Sequence, residues 1–451
     1  MGLLLNRVFF LLSIPIFFSG CVAITGHGNS LRSFEVTLKS STCDYSLIDK
    51  KLKDKDDVIL WASQGGSLSR NCFDYNKSND MFDKAEELYK SNVDLQSNAN
   101  KIGNSASSIL INNNVNDYKG NEYEKVMLNT YKGLNFMALG NFADARVEFN
   151  RALDRQRRAK EYFKYEIQQA HKKAKKDKNY NQANNKYTQK AIYDRYVDIF
   201  SGFKAYPDFV NPYATYISGI FFLLDGDYVK ARDLLKESVA MQPQNRQIKE
   251  DFELADRLSG FTKKDKNYAW IIYENGQSMA KREININIPL FIFTNKVYYA
   301  GLSLPKLYER PSSYKFLEVN GKKSTLIANM DNIIKAEFEK RFSQIALEGT
   351  LNLIVKTYTQ YELNKSGPLG GFAGMLYQAL TNRADIRSWT ALPKNFQSLR
   401  VELNQNPVII RDDRGKVIST VQVENKTDVL IYIKSSLRGN IKVHKIIKGK
   451  K

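Results

Sequence analysis

The sequence predicts a multidomain chain: an α-helical repeat array followed by an α+β domain with a mostly antiparallel sheet, both behind a short apolar leader. Three observations carry this. A helix-pair pattern of 34 residues recurs along the first half. After Gly260 the apolar period changes from three-and-four to two. The first 20 residues hold one apolar run, too short to cross a bilayer as a helix.

The leader reads MGLLLNRVFFLLSIPIFFSG, with Arg7 its only charge and an apolar stretch from Val8 to Phe18. Phe18-Ser19-Gly20-Cys21 resembles the lipobox of a bacterial lipoprotein signal, with Phe18 in place of the usual Leu. The resemblance implies a signal peptide over 1–20, a diacylglyceryl group on Cys21, cleavage before it and acylation of the new amine, as by palmitate. Residues 21–42, rich in Gly, Ser, Thr and Asn, read as a lipidated flexible tether. Cys43 and Cys72 are then the remaining cysteines, an even number that permits a disulfide in an oxidising compartment, with two free thiols as the alternative.

Residues 43–260 read as a helical domain. The clearest unit is 212–245, PYATYISGIFFLLDGDYVKARDLLKESVAMQPQN, which resembles a tetratricopeptide (TPR) repeat. Gly219 allows close helix approach, Phe222 fills the first helix, Gly226-Asp227-Tyr228 makes the turn, and Ala231 is the small residue of the second helix. Leu235 and Ser238 replace the usual aromatic and Ala, and Pro243 ends the helix because it has no N–H to donate. A second copy at 126–159 places Gly133, Phe136, Gly140, Phe142, Ala145, Phe149 and Ala152 on the same template. Arg157 stands where the proline would be, so its second helix is expected to run on to about Lys176. A third copy at 59–92 has Gly66, Tyr75, Ser78, Phe82 and Ala85 in register around an irregular turn. Arrays of this kind offer a concave groove to a protein partner, and the first helices supply Asn129, Lys132, Asn135, Tyr213 and Tyr216 as groove candidates.

Between the second and first-described copies, Lys172, Lys173, Lys175 and Lys176 cluster in a charged helical stretch. They are candidate anion-binding residues for acidic lipid or glycan; the simpler reading is a solvated protrusion. Net charge is +20 over 451 residues and favours anionic partners. Nucleic acid is not expected as a partner of an exported chain.

Residues 261–451 read as the α+β domain. YAWIIY from Tyr268 is a short apolar run, and REININIPLFIF alternates as a strand. The spacing of Ile333, Ile334, Phe338, Phe342, Ile345, Leu351, Ile354, Tyr358 and Tyr361 predicts a helix over 330–361, with a shorter one over 372–381. SLRVELN, NPVIIRD, KVISTVQVE and DVLIYIKSSL read as strands, with Asp412-Asp413-Arg414-Gly415 as a hairpin turn.

SASSILINNN from Ser105, NEYEKVMLNTYKGLNFMALGNFADARVEFNRA from Asn121, YENG from Tyr273 and ADIRSWTALPKNFQSLRV from Ala384 together resemble an uncharacterised family of bacterial, mainly Gram-negative, TPR-containing lipoproteins. The resemblance spans nearly the whole mature chain. It implies architecture and location and brings no catalytic residues.

The three histidines, His27, His171 and His444, lie in separate contexts without metal-ligand spacing. No nucleophile elbow, phosphate loop or dinucleotide fingerprint is present, so no metal, cofactor or enzymatic activity is expected. Glu337 and Glu339 read as a salt-bridged solvated face. Asp385, Arg387 and Trp389 read as a structural corner, with a functional clasp as the alternative. The sequence therefore points to a lipoprotein of the cell envelope, on the outer membrane facing the periplasm, that scaffolds a protein partner. An anion-binding envelope protein and an envelope glycan hydrolase are the alternatives.

Overall fold

The computed structural model describes residues 27–40, 42–90, 117–201, 211–261, 263–293, 296–365, 383–404, 406–424 and 427–446. Cys21 with its lipobox, and the helix expected over 372–381, lie outside them.

Helix α1 (His27–Ser40) occupies most of the stretch expected to be a flexible tether. Leu31, Phe34 and Leu38 recur at helical spacing and are buried, and Phe34 meets Trp61 edge-on at 6.3 Å. The stretch is polar in composition, but three apolar side chains on one stripe are enough to seat it. Helix α2 (Ser46–Lys53) follows, and Cys43 just before it is joined by a disulfide to Cys72.

Three helical hairpins come next, all built on one template. They are α3 (Val58–Asn71) with α4 (Tyr75–Tyr89), α5 (Glu122–Ala138) with α6 (Phe142–Ala174), and α10 (Pro212–Asp225) with α11 (Tyr228–Met241). In each, a glycine in the first helix lies against a large side chain of the second. A Cβ on Gly133 would stand 2.9 Å from Phe149 and one on Gly219 2.9 Å from Leu235, while one on Gly66 would overlap the Phe82 ring. The second helices open on Asp74, Asn141 and Asp227, whose side chains accept the N–H of Lys77, Asp144 and Lys230. Ser78, Ala145 and Ala231 at the helix crossing are fully buried. The turn needs a left-handed residue. Gly140 (φ 76°) and Gly226 (φ 87°) provide it in two hairpins, and Phe73 (φ 63°) takes the same place in the first, which is why that turn looks irregular in sequence. Without a proline at Arg157, α6 continues for 33 residues. Short helices α7 (Tyr180–Ala183), α8 (Lys186–Tyr193) and α9 (Val197–Phe200) return the chain to the body, and α12 (Arg246–Ser259) closes the helical part.

The strands are β1 (Tyr268–Asn275), β2 (Ala280–Phe293), β3 (Lys296–Tyr308), β4 (Glu318–Val319), β5 (Lys322–Lys323) and β6 (Thr325–Asn329), then β7 (Asn395–Glu402), β8 (Val408–Arg411), β9 (Val417–Val421), β10 (Val429–Leu437) and β11 (Asn440–Ile446). The main sheet has the order β11-β10-β1-β7-β6. It is mixed: β1 runs parallel to β10 and antiparallel to β7, and the other pairs are antiparallel. β1 lies in its centre with both faces covered, which explains its unbroken apolar run. Trp270 and Ile272 face the helices; Ala269, Ile271 and Tyr273 face a small sheet of order β5-β4-β8-β9. β2 and β3 form a separate long hairpin against α13 (Met330–Lys365), where Gly349 lets Leu304 approach closely.

The molecule is thus an α+β protein in three layers: helical hairpins, mixed sheet, small sheet. Residues 260 and 261 mark a change of secondary structure but not of core. One apolar core runs without a break from Leu31 and Phe149 to Trp389 and Tyr432.

Candidate functional site

The inner face of the hairpins was the expected partner groove. The chain itself fills it. Tyr213 stacks on Phe396 of β7 at 3.5 Å between ring centres and shares a 2.8 Å hydrogen bond with Tyr432 of β10. Tyr216 donates to Asp251 at 2.7 Å and lies 2.8 Å from the Ser398 hydroxyl. Asp251 also accepts from Trp270 and Arg400, each at 3.0 Å, so one buried carboxylate joins α10, α12 and the sheet.

The other groove candidates are equally enclosed. Lys132 is 3% exposed and reaches Glu86 at 2.6 Å, Asp83 at 2.7 Å and Glu148 at 3.0 Å. Asn129 donates to Glu86 and Glu148 at 3.0 and 2.6 Å. Asn135 donates to Ser78 and Asn79 and accepts from Arg70. Burial pushes the Glu86 carboxyl up, but the Lys132 charge and hydrogen bond, with Asn129 and Arg155, bring it down to about 2. These five side chains are therefore not a partner groove. They are the polar interior that lets the hairpins and the sheet close on one another.

Residues 384–394 form an extended strap across the first two hairpins. Trp389 sits between Phe82 and Tyr131, at 5.6 and 5.8 Å, and donates its indole N–H to Ser67 at 2.9 Å. Side chains hold the strap's peptide groups: the Trp389 N–H donates to Glu124 at 2.9 Å, the Ala391 N–H to the Gln64 side chain at 3.2 Å, and Arg310 donates to the Thr390 carbonyl at 2.7 Å. Arg387 joins the strap to the start of α3, donating to Asp57 at 2.6 Å and to Asp385 at 2.8 and 2.9 Å. Asp57 also accepts the Tyr118 N–H at 3.0 Å and lies 3.3 Å from His27. Burial raises Asp385, but the hydrogen bonds and charge of Arg387, with Lys281, leave it below the usual carboxylate range. Asp385 thus holds the Arg387 guanidinium in place and fixes the corner of the strap. Glu337, expected in a solvated face, is buried as well; it accepts the N–H of Glu122 and Tyr123 at 3.0 and 3.3 Å and so caps α5.

A cleft of about 280 Å³, its open mouth included, lies beside the disulfide between α1, α3, β10 and β11. Leu38, Asn71, Cys72, Lys434, Asn440 and Lys442 line it. Burial pushes the Lys434 ammonium down, and Glu274, 3.5 Å away, opposes the shift. Its narrow centre suits water rather than an organic substrate. Among the described residues no group of three or more His, Cys, Asp or Glu could hold a metal ion, and no helix is long and apolar enough to cross a membrane.

The basic candidates occupy the far end of α6 and the turn after it, where Lys172, Lys175 and Lys176 are exposed and Lys173 is half-buried. Sequence reasoning missed Gln64, Glu86 and Asp251, while the corner read at Asp385, Arg387 and Trp389 is the strap that crosses the hairpins. The available signal was a polar residue on an otherwise apolar helix face, as with Gln64 in VILWASQGGSL and Asp251 in IKEDFELA. In comparisons with family models, curated proteins and solved structures, none matched this chain.

Proposed function

We propose that this chain is an exported lipoprotein, anchored by acyl groups on Cys21 to the outer membrane and facing the periplasm, where TPR-like hairpins scaffold an envelope protein partner. The observation that carries the reading is the Cys43–Cys72 disulfide. Such bonds persist in oxidising compartments and are rare in the cytosol, so the bond and the leader point to the same address. The TPR-like reading draws support from the shared glycine contact, the Asx caps and the small crossing residues of the three hairpins. Because strap and sheet fill the inner face, the partner is expected on the outer helices, where Leu139, Val147 and Val229 remain exposed.

A photo-crosslinking residue at Val147 or Val229 in intact cells tests this. One envelope protein should be captured, and capture should disappear in a Cys21→Ser variant released from the membrane. Failure of both positions to capture any envelope protein rejects the scaffold.

A further inference from the structure

We propose that Lys119 and the basic end of α6 form the membrane-facing surface of this protein, resting on anionic phospholipid headgroups beside the anchor. The proposal depends on acylation of Cys21 as read above.

Covalent geometry sets the first constraint. α1 begins at His27, six residues after Cys21, and an extended chain gains at most about 3.6 Å per residue. The start of α1 therefore lies within about 20 Å of the acyl chains. It is not free to turn away, because α1 is packed into the core through Leu31, Phe34 and Leu38. A long tether would leave orientation open. A short leash on a packed helix limits the faces that can look at the bilayer to those near the start of α1.

The contacts of His27 identify that face. His27 lies 3.3 Å from Asp57, and Asp57 accepts the Tyr118 N–H at 3.0 Å. The next residue, exposed Lys119, leads into α5, whose first N–H donates to Glu337 at 3.0 Å, and Arg341 joins Glu337 to Glu166 on α6, each at 3.0 Å. This route leads from the chain's exit to Lys172, Lys173, Lys175 and Lys176. Two acidic groups along the way are already engaged, Asp56 with Lys51 at 2.5 Å and Glu166 with Arg341 at 3.0 Å, while Asp117 beside Tyr118 is exposed. Asp177 accepts the Asn179 N–H at 2.8 Å, and Glu348 is the carboxylate that faces Lys173 from α13.

The surroundings also suit an interface between water and lipid. Lys178 lies 5.9 Å from the Tyr358 ring centre, and Tyr358 and Tyr361 on α13 are each about half exposed. Tyrosine and lysine together favour the headgroup region, since the ring is amphipathic and the ammonium meets phosphate. Apart from half-buried Ile345, the apolar stripe expected along α13 is buried as far as Ile354 and emerges at these two tyrosines.

The test uses the mature chain with Cys21→Ser, so that no acyl group assists binding. Flotation with vesicles of phosphatidylglycerol and phosphatidylcholine is compared with phosphatidylcholine alone. The chain should float with the anionic vesicles only, and high salt should release it. Each basic side chain near such a surface contributes about fivefold to partitioning, so Lys172→Gln, Lys175→Gln and Lys176→Gln together should lower it by about a hundredfold. A circular-dichroism melt shows that the exposed substitutions leave the fold intact. No flotation with anionic vesicles, unchanged flotation of the triple variant, or retention on cell-wall glycan alone overturns the proposal. Mass spectrometry of the native protein reads the anchor separately. An unmodified Cys21 removes the anchor and this proposal with it, whereas an acylated Cys21 without vesicle binding removes this proposal alone.

Discussion

Lys132 shows how burial decides the role of a residue. On a helical wheel it belongs to the open face of a repeat; in the fold three carboxylates surround it and almost no solvent reaches it. Removing Lys132 takes a buried positive partner from Glu86 and Glu148, and breaking a buried pair in this way generally costs about 3–5 kcal/mol. His444 makes a different statement. Its ring lies 4.1 Å from that of Phe73 and its Nδ1 bonds the Tyr75 hydroxyl. Burial, then the charges of Arg70, Lys434 and Lys442, lower its pKa to about 3. The unfolded chain takes up this proton near pH 6.5, while the folded protein resists until about 3. The stabilising effect is therefore complete above pH 6.5 and declines as the pH falls toward 3, by at most about 1.4 kcal/mol per pH unit. In urea titrations between pH 6 and 4, His444→Gln should flatten the acid loss of stability by up to that slope. An unchanged slope would mean that His444 does not titrate with unfolding.

At the scale of elements, the hairpins were legible because their rules are local. Glycine, Asx cap and small crossing residue sit at fixed offsets, and apolar periodicity located α13, β1, β2, β7, β8, β9 and β10. β3 was not legible, since Gly301 and Pro305 interrupt its pattern and long-range pairing with β2 holds it extended. α1 was obscured by its polar composition. The template itself can be tested. Phe82 is fixed between Tyr131 and Trp389, so Gly66→Ala should destabilise by about 1–3 kcal/mol. A Cβ at Gly219 comes no nearer than 2.9 Å to Leu235 Cγ, whereas one at Gly66 overlaps the Phe82 ring, so Gly219→Ala should cost less. Urea midpoints of the two variants give the order, and the reverse order would contradict this packing.

At the scale of the whole molecule, the candidate groove could not be read correctly. The residues that fill it, Trp389, Phe396 and Tyr432, lie far along the chain, and no local period encodes a long-range pairing. The division near residue 260 was visible as a change of pattern, but the core it crosses was not. Because that core is continuous, fragments cut between 260 and 261 should not fold separately, and the intact chain should unfold in one transition by circular dichroism. Two independent transitions would show that the halves are autonomous. The continuous core also sets an order of events in the cell. Synthesis runs from the amino terminus, so the hairpins leave the ribosome with Tyr131, Tyr213 and Tyr216 bare. At about 5–20 residues per second, the strap and last strands follow only after an interval on the order of tens of seconds. Throughout that interval the newborn chain presents an aromatic surface that only its own carboxy-terminal strands will cover.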